Sequence, residues 1–243
     1  GERADMVMKE LIKIFKILDI DYNDEKEKKF YQYMSEILKL NQQINLTAIT
    51  EKNEFIQKHY VDSLLCAGLD EFKNSFSIID VGTGGGFPGV PLVIAFPDKE
   101  FVLIDSLNKR IKIINQLCES LGIFNVKAFH GRAEEMGRRK DMREKFDLCV
   151  SRAVANMSTL SEYCIPFVRV GGSFIAYKGP DCRKELEDAI NAVTALGGEV
   201  IREESPEITG IPFDHKFIVI KKKKNTLSKF PRKPGTPSKE PIK

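Results

Sequence analysis

Residues 78–89 read IIDVGTGGGFPG. An acid, Asp80, is followed by five glycines within eight residues: Gly82, Gly84, Gly85, Gly86 and Gly89. Glycine has no side chain and accepts positive φ, so this segment can turn sharply and lie close against a ligand. Residues 84–89, GGGFPG, fit the spacing G-x-G-x-x-G of nucleotide-binding turns. The match is weak alone and gains weight from its setting, with a strand-like run before it and a helical pattern after. A second acid, Asp105, closes the next strand-like run, 23 residues past Gly82. From there a carboxylate can accept hydrogen bonds from ribose hydroxyls. Capping the helix that starts near SLNKR is its other possible role.

A nucleoside ligand follows, and two chemistries share the geometry. One is a nicotinamide-dependent oxidoreductase; the other is methyl transfer from S-adenosylmethionine. Asp80 would repel a pyrophosphate but can face the ammonium group of a sulfonium donor, directly or through water. The chain offers no second half-sheet for a dehydrogenase. It closes with two nearby strands, EVIREES and DHKFIVIKK, which fit an antiparallel hairpin at the sheet edge. All three features favour methyl transfer. GRAEE (Gly131–Glu135) follows the third strand, where Glu134 can read an adenine edge or simply carry charge at a helix N-terminus. SRAVA (Ser151–Ala155) follows the fourth strand, so Arg152 faces ligand or target, unless it forms a surface ion pair.

Absences narrow the acceptor. An exocyclic base amine calls for an Asn/Asp-Pro-Pro-aromatic turn after the fourth strand, and SRAVANM stands there instead. Pyrimidine C5 calls for a nucleophilic cysteine. Cys149 lies inside the fourth strand and Cys164 within a helix, and both read as core residues. An acceptor with an accessible lone pair, such as guanine N7, needs neither device. No side chain is then expected to act as nucleophile, acid or base, and positioning carries the catalysis.

The elements that position these residues form two patterns. MVMKELIKIFKILDI places Met8, Leu11, Ile12, Phe15 and Leu18 on one helical face. DEKEKKFYQYMSEILKL, after an Asn23 or Asp24 cap, does the same with Phe30, Met34, Ile37 and Leu38. A third helical stretch covers NEFIQKHYVDSLLCAGL, and no strand pattern precedes residue 76. Strand and helix then alternate, with a helix predicted over MSTLSEYCIPFVRV and a fifth strand over GGSFIAYKG. This predicts an α/β fold: a Rossmann-like, mostly parallel sheet with an antiparallel C-terminal edge hairpin and a helical N-terminal cap. The expected units are a cap over 1–74, a methyltransferase domain over 75–222 and a basic arm over 223–243. The C-terminal stretch KKKKNTLSKFPRKPGTPSKEPIK (221–243), which contains the arm, has no apolar periodicity and reads as extended.

The chain has 243 residues, 42% hydrophobic and 30% charged, an ordinary globular balance. No apolar run nears the roughly 18 residues of a membrane helix, and GERADMVMKE has no signal-peptide core. Five scattered cysteines without a C-x-x-C pair argue for a reducing cytoplasm and against structural metal. Residues 221–243 hold nine cations and one anion, although the whole chain is only +3. A basic end on a mildly acidic body suits a polyanionic partner, or merely a solubilising tail. RRKDMREK (138–145) is a second basic run, read as a solvated loop or a further patch.

NLTAIT, HYVDSLL, DVGTGGGFPGVPL, LIDSLNKR, GRAEE, SRAVA and FPRKPGTPSKEP, in this order, resemble the RsmG (GidB) family, bacterial small-subunit rRNA guanine-N7 methyltransferases. The likeness runs from about residue 10 to the C-terminus. It implies S-adenosylmethionine as donor, no metal, and a guanine of 16S rRNA in the small ribosomal subunit as target. It implies cofactor contacts at Gly82, Phe87, Ala133, Glu134 and Arg152, to which the residue reading adds Gly84, Gly86 and Asp105. Substrate contacts are expected at Lys178, Arg232 and Lys233; His59 is a weaker candidate, being more often a satisfied helix histidine. Phe230 stands where many members have Tyr, which leaves base stacking on the ring but removes a hydroxyl. A monomer is expected. A ribosome-associated binding protein without chemistry is the remaining alternative, against which the intact glycine turn and Arg152 speak.

Overall fold

The computed structural model describes residues 8–243, so Met6 and Val7 of the first expected helix lie outside them. Helix α1 spans Lys9–Ile17 and α2 spans Asp24–Leu40. Asn23 is the cap of α2, its side chain accepting the Lys26 N–H at 2.8 Å. Leu11, Ile14 and Phe15 of α1 and Phe30, Tyr33, Met34 and Ile37 of α2 are fully buried. Ile12, expected on the inner face, is instead partly exposed, because Ile14 takes the inward position. The third helical stretch starts at Lys52–Phe55, widens to a π-helix over Ile56–Val61, and continues through Asp62–Leu64 into a 3₁₀ turn, Leu65–Gly68.

Strands β1 (Ser77–Val81), β2 (Glu100–Asp105), β3 (Val126–His130), β4 (Phe146–Ser151), β5 (Val168–Lys178), β6 (Gly198–Glu204) and β7 (Lys216–Lys222) form one sheet in the order β3-β2-β1-β4-β5-β7-β6. The first five are parallel, and β7 runs antiparallel between β5 and β6. The order reverses between β1 and β4, and the crevice beyond their carboxyl ends is where open sheets of this kind hold ligands. One core packs the cap against the sheet, with Phe15, Phe30 and Tyr60 sharing it with Ile78, Leu103 and Val150. Helix α3 (Gly89–Ala95), which leaves the glycine turn, is buried along its whole length.

Beyond β3, α4 (Asn108–Ser120) having crossed between β2 and β3, the short α5 covers Ala133–Met136. Helix α6 spans only Met157–Cys164. The expected extension of this helix over VRV is wrong: a 3₁₀ turn at Ile165–Phe167 ends it, and Val168 already belongs to β5. Pro166 lacks the N–H that would continue the helix. Helix α7 (Arg183–Ala195) leads back to β6.

The basic arm is not extended. It folds onto the body, held mainly by polar contacts. The Arg138 guanidinium donates to the carbonyls of Ser228, Lys229 and Pro231 at 2.8–3.1 Å. The Arg143 guanidinium donates to those of Thr226, Leu227 and Phe230 at 2.7–3.1 Å. RRKDMREK is therefore neither a solvated loop nor a free patch at these two arginines; it clasps the arm. Glu162, completely buried, accepts the Arg232 backbone N–H at 2.7 Å and its guanidinium at 2.8 Å. Lys222 is buried as well, 3.1 Å from Glu144. Phe230 is buried in the core that holds Met136 and Phe167, which removes its expected role as a stacking surface for a base. The arm ends in α8, Thr236–Lys239.

A buried carboxylate that loses its cation is costly. Arg232→Ala should lower the unfolding free energy by about 3 kcal/mol in urea titration. Lys233→Ala, one residue on and exposed, should stay within about 0.5 kcal/mol of the parent. Equal effects of the two would contradict this account of the arm.

Candidate functional site

Three glycines of the turn after β1 have positive φ: Gly82 (73°), Gly84 (59°) and Gly86 (105°). Side chains are also excluded sterically at two of them. A Cβ on Gly82 would sit 2.9 Å from the Ala153 Cβ, and one on Gly86 would run into the Tyr33 hydroxyl and Val90. The turn is pinned from several sides. The Gly82 and Thr83 N–H groups both donate to the Ile104 carbonyl at 3.0 Å. The Gly84 N–H donates to Asp105 Oδ2 at 2.8 Å, and the Tyr33 hydroxyl of α2 donates to the Gly85 carbonyl at 2.8 Å.

Asp80 lies under this turn and is buried. Its Oδ2 accepts the Thr83 hydroxyl at 2.6 Å and the Gly89 N–H at 2.9 Å. Its Oδ1 is buried with no hydrogen-bond partner. Burial pushes the carboxyl up to about 7, against the opposing pull of Thr83 and Gly89. A buried acceptor without a donor is costly, so a positively charged donor group in reach of Oδ1 would be strongly favoured.

A cavity of about 180 Å³ opens beside the turn, lined by Gly82, Asp105, Ala133, Glu134, Ala153 and Tyr163 among others. Asp105 is held on both oxygens: Oδ2 takes Gly84, and Oδ1 takes the Leu107 N–H at 2.9 Å, with Arg110 3.8 Å away. The Leu107 contact closes an Asx turn rather than capping the following helix. Glu134 is buried, and its Oε2 accepts the Gly235 N–H of the arm at 2.9 Å, with Arg132 at 3.3 Å. Its carboxylate thus ties the arm to the cavity wall.

Arg152 and Phe87 do not line this cavity. They meet behind the turn, where the cap touches the sheet. The Arg152 guanidinium pairs with Asp62 Oδ2 at 3.2 Å and donates to Ser63 Oγ at 3.2 Å and His59 Nδ1 at 3.3 Å. It lies over the Phe87 ring, 6.0 Å from the centroid, and His59 stacks on the same ring at 4.1 Å. Burial and the neighbouring Arg152 push His59 down to about 3, so the ring is neutral at physiological pH. A guanidinium only donates, so Nδ1 accepts and Nε2–H donates to Thr47 Oγ1 at 2.7 Å. Asp62 Oδ1 faces His215 Nδ1 at 2.7 Å. Thr47, Asp62, Ser63, Tyr33 and His215 were not singled out from the sequence. NLTAIT and HYVDSLL, which contain three of them, were the available signal.

Two of the three expected substrate residues are engaged within the protein. Lys178 is buried, 2.6 Å from Glu185, and donates to the Ala155 carbonyl at 2.7 Å. Arg232 is engaged by Glu162. Lys233 is exposed on the arm. All five cysteines are buried and free, and burial raises the Cys149 thiol well above its ordinary range, which leaves no thiolate for attack. Among the described residues, no group of His, Cys, Asp and Glu could hold a metal ion, and no helix is long and apolar enough to cross a membrane.

Residues 26–206 match the family model GidB, described as rRNA small subunit methyltransferase G. Ribosomal RNA small subunit methyltransferase G of Clostridium perfringens (strain 13 / Type A) is 47% identical over 224 residues, 92% of this chain and 94% of that protein. The protein of the same name from Alkaliphilus oremlandii is 49% identical over 226 residues, 93% of this chain and 95% of its own. Among solved structures, the O-methyltransferase from Bacillus cereus in complex with SAH aligns with a TM-score of 0.53 at 16% identity, over 79% of this chain and 91% of its own. A putative O-methyltransferase from Klebsiella pneumoniae aligns with the same score at 13% identity, over 92% and 97%. These two share the fold. By family-model match and sequence identity together, the chain belongs to the rRNA small subunit methyltransferase G (GidB) family.

Proposed function

We propose that this protein transfers a methyl group from S-adenosylmethionine to N7 of a guanine in 16S rRNA, acting as a cytoplasmic monomer on the small ribosomal subunit. The observation that carries the donor assignment is the orphaned Oδ1 of Asp80 under the glycine turn. It suits the ammonium of an amino-acid-bearing ligand and is unsuited to a pyrophosphate, which argues against a nicotinamide cofactor. When bound, the donor supplies a sulfonium methyl, and the carbon–sulfur bond breaks with its electron pair leaving on sulfur as N7 attacks.

The chain's own residues bind and orient. Gly82 and Gly84 bring bare backbone to the ligand, and Gly86 lets α2 and α3 close behind them. Asp80 holds the ammonium. Asp105 sits at the ribose side, on the cavity wall. Ala133 and Glu134 form the adenine end, with the Glu134 carboxylate fixing that wall through the arm. Arg152 and Phe87 act from behind, by holding the turn against the cap. Guanine N7 carries no proton, so no general base is required, and the rate comes from in-line placement of the reacting atoms. Exposed arm cations, Lys233 and Lys239 among them, suit phosphate contact.

Labelled donor with 16S rRNA or small subunits should yield 7-methylguanosine on nucleoside analysis. Label in another nucleoside, or none, would contradict the acceptor assignment. Donor binding should also depend on pH with a definite sign. The Asp80 carboxyl, raised to about 7 by burial, pairs with an ammonium only when ionised. Affinity should therefore be full above pH 7 and fall as pH drops through it, by up to about tenfold per pH unit. Calorimetric titration with S-adenosylhomocysteine checks this. Asp80→Asn should bind weakly with a flat profile; a wild-type profile in that variant would remove Asp80 from the site.

A further inference from the structure

Val154 is fully exposed, at 104% of its reference area. Single exposed apolar side chains are common on protein surfaces. This one stands in a particular place. It belongs to the loop after β4, beside the strand-order reversal, and the preceding residue, Ala153, lines the cavity and crowds Gly82.

Each polar side chain of that loop makes a contact within the protein. Ser151 Oγ donates to the Val81 carbonyl at 2.7 Å and accepts the Ala153 N–H at 3.1 Å. Arg152 is taken by Asp62, Ser63 and His59. Asn156 Oδ1 accepts the Thr159 N–H at 3.0 Å as the cap of α6. Lys178 reaches in from β5 to hold the Ala155 carbonyl. Ala153 and Ala155 leave room on either side of Val154, and Asn156, the other exposed residue of the loop, spends its Oδ1 on the α6 cap. Next to Ala153 at the cavity, the side chain the loop presents is the apolar one of Val154.

A guanine that delivers N7 to the cavity must do so edge-on, because the N7 lone pair lies in the ring plane. Its flat apolar face then falls against the rim. We propose that Val154 is a substrate-contacting residue, a platform on which the target guanine rests while N7 points into the cavity. The inference rests on the guanine methylation proposed above. It deepens that reading by assigning recognition of the base to contact with this side chain.

Val154 touches nothing in the protein that its removal would disturb, so its variants should fold normally. The full chain and its Val154→Ala and Val154→Asp variants are compared for kcat/KM on 16S rRNA, for S-adenosylhomocysteine affinity and for Tm. Val154→Ala should lose about tenfold in kcat/KM on RNA, from two methyl groups no longer buried in the complex. Val154→Asp should lose more, through repulsion of the RNA. Donor affinity and Tm should match the parent in both. Equal kcat/KM on RNA for all three proteins would overturn the proposal, as would a loss that tracks weakened donor binding or a lowered Tm. The methylated nucleoside is identified in the same reactions. A failure of the N7 assignment therefore shows as label in another nucleoside, whereas a failure of the Val154 assignment shows as three equal rates.

Discussion

A carboxylate with one oxygen satisfied and the other buried without a donor is an unstable arrangement for a folded chain to keep. Asp80 is in that state, at the end of the first strand and beneath the turn that follows. Its satisfied oxygen organises the turn itself, since Thr83 and Gly89 both close onto it. The other is left buried without a donor. Strand, turn and helix α3 are thus built around a single acid, and the positive-φ glycines are what allow backbone to wrap it so closely.

Around this centre the molecule is braced from two directions. On one side, the helical cap reaches the turn through Tyr33 and reaches the β4 loop through Asp62, Ser63 and His59, all of which hold Arg152. The Phe87 ring, against which both His59 and Arg152 pack, joins the two contacts into one packed unit. On the other side, the C-terminal arm is fixed to Glu134 at the cavity wall and to Glu162 of α6. Cap, sheet and arm therefore meet around one turn, although they come from separate segments of the chain.

Much of this was legible in the sequence because it is local. Glycine spacing, the acid two residues before Gly82 and strand–helix alternation all lie within short windows, and they led to the turn, the sheet and Asp105. What was not legible depends on long-range partners. Arg152 could be singled out, but nothing in SRAVA says that Asp62 and His59, some ninety residues earlier, hold it away from the cavity. Glu134 could be placed near the adenine, but not its bond to Gly235. The arm reads as extended because its order comes mainly from arginines donating to backbone carbonyls, which leave no apolar period to detect. Phe230 and Arg232 looked free for the same reason. The early start of β5 has a local cause, Pro166, which ends the helical pattern before VRV.

The account stands or falls on what approaches Asp80. The most direct measurement is a crystal structure of the protein with S-adenosylhomocysteine. The account predicts the ligand's amino group within hydrogen-bond distance of Asp80 Oδ1 or one water away from it, with the ribose beside Asp105 and the base toward Ala133 and Glu134. A ligand seated elsewhere, or an Asp80 Oδ1 that remains without a donor in the complex, would contradict it.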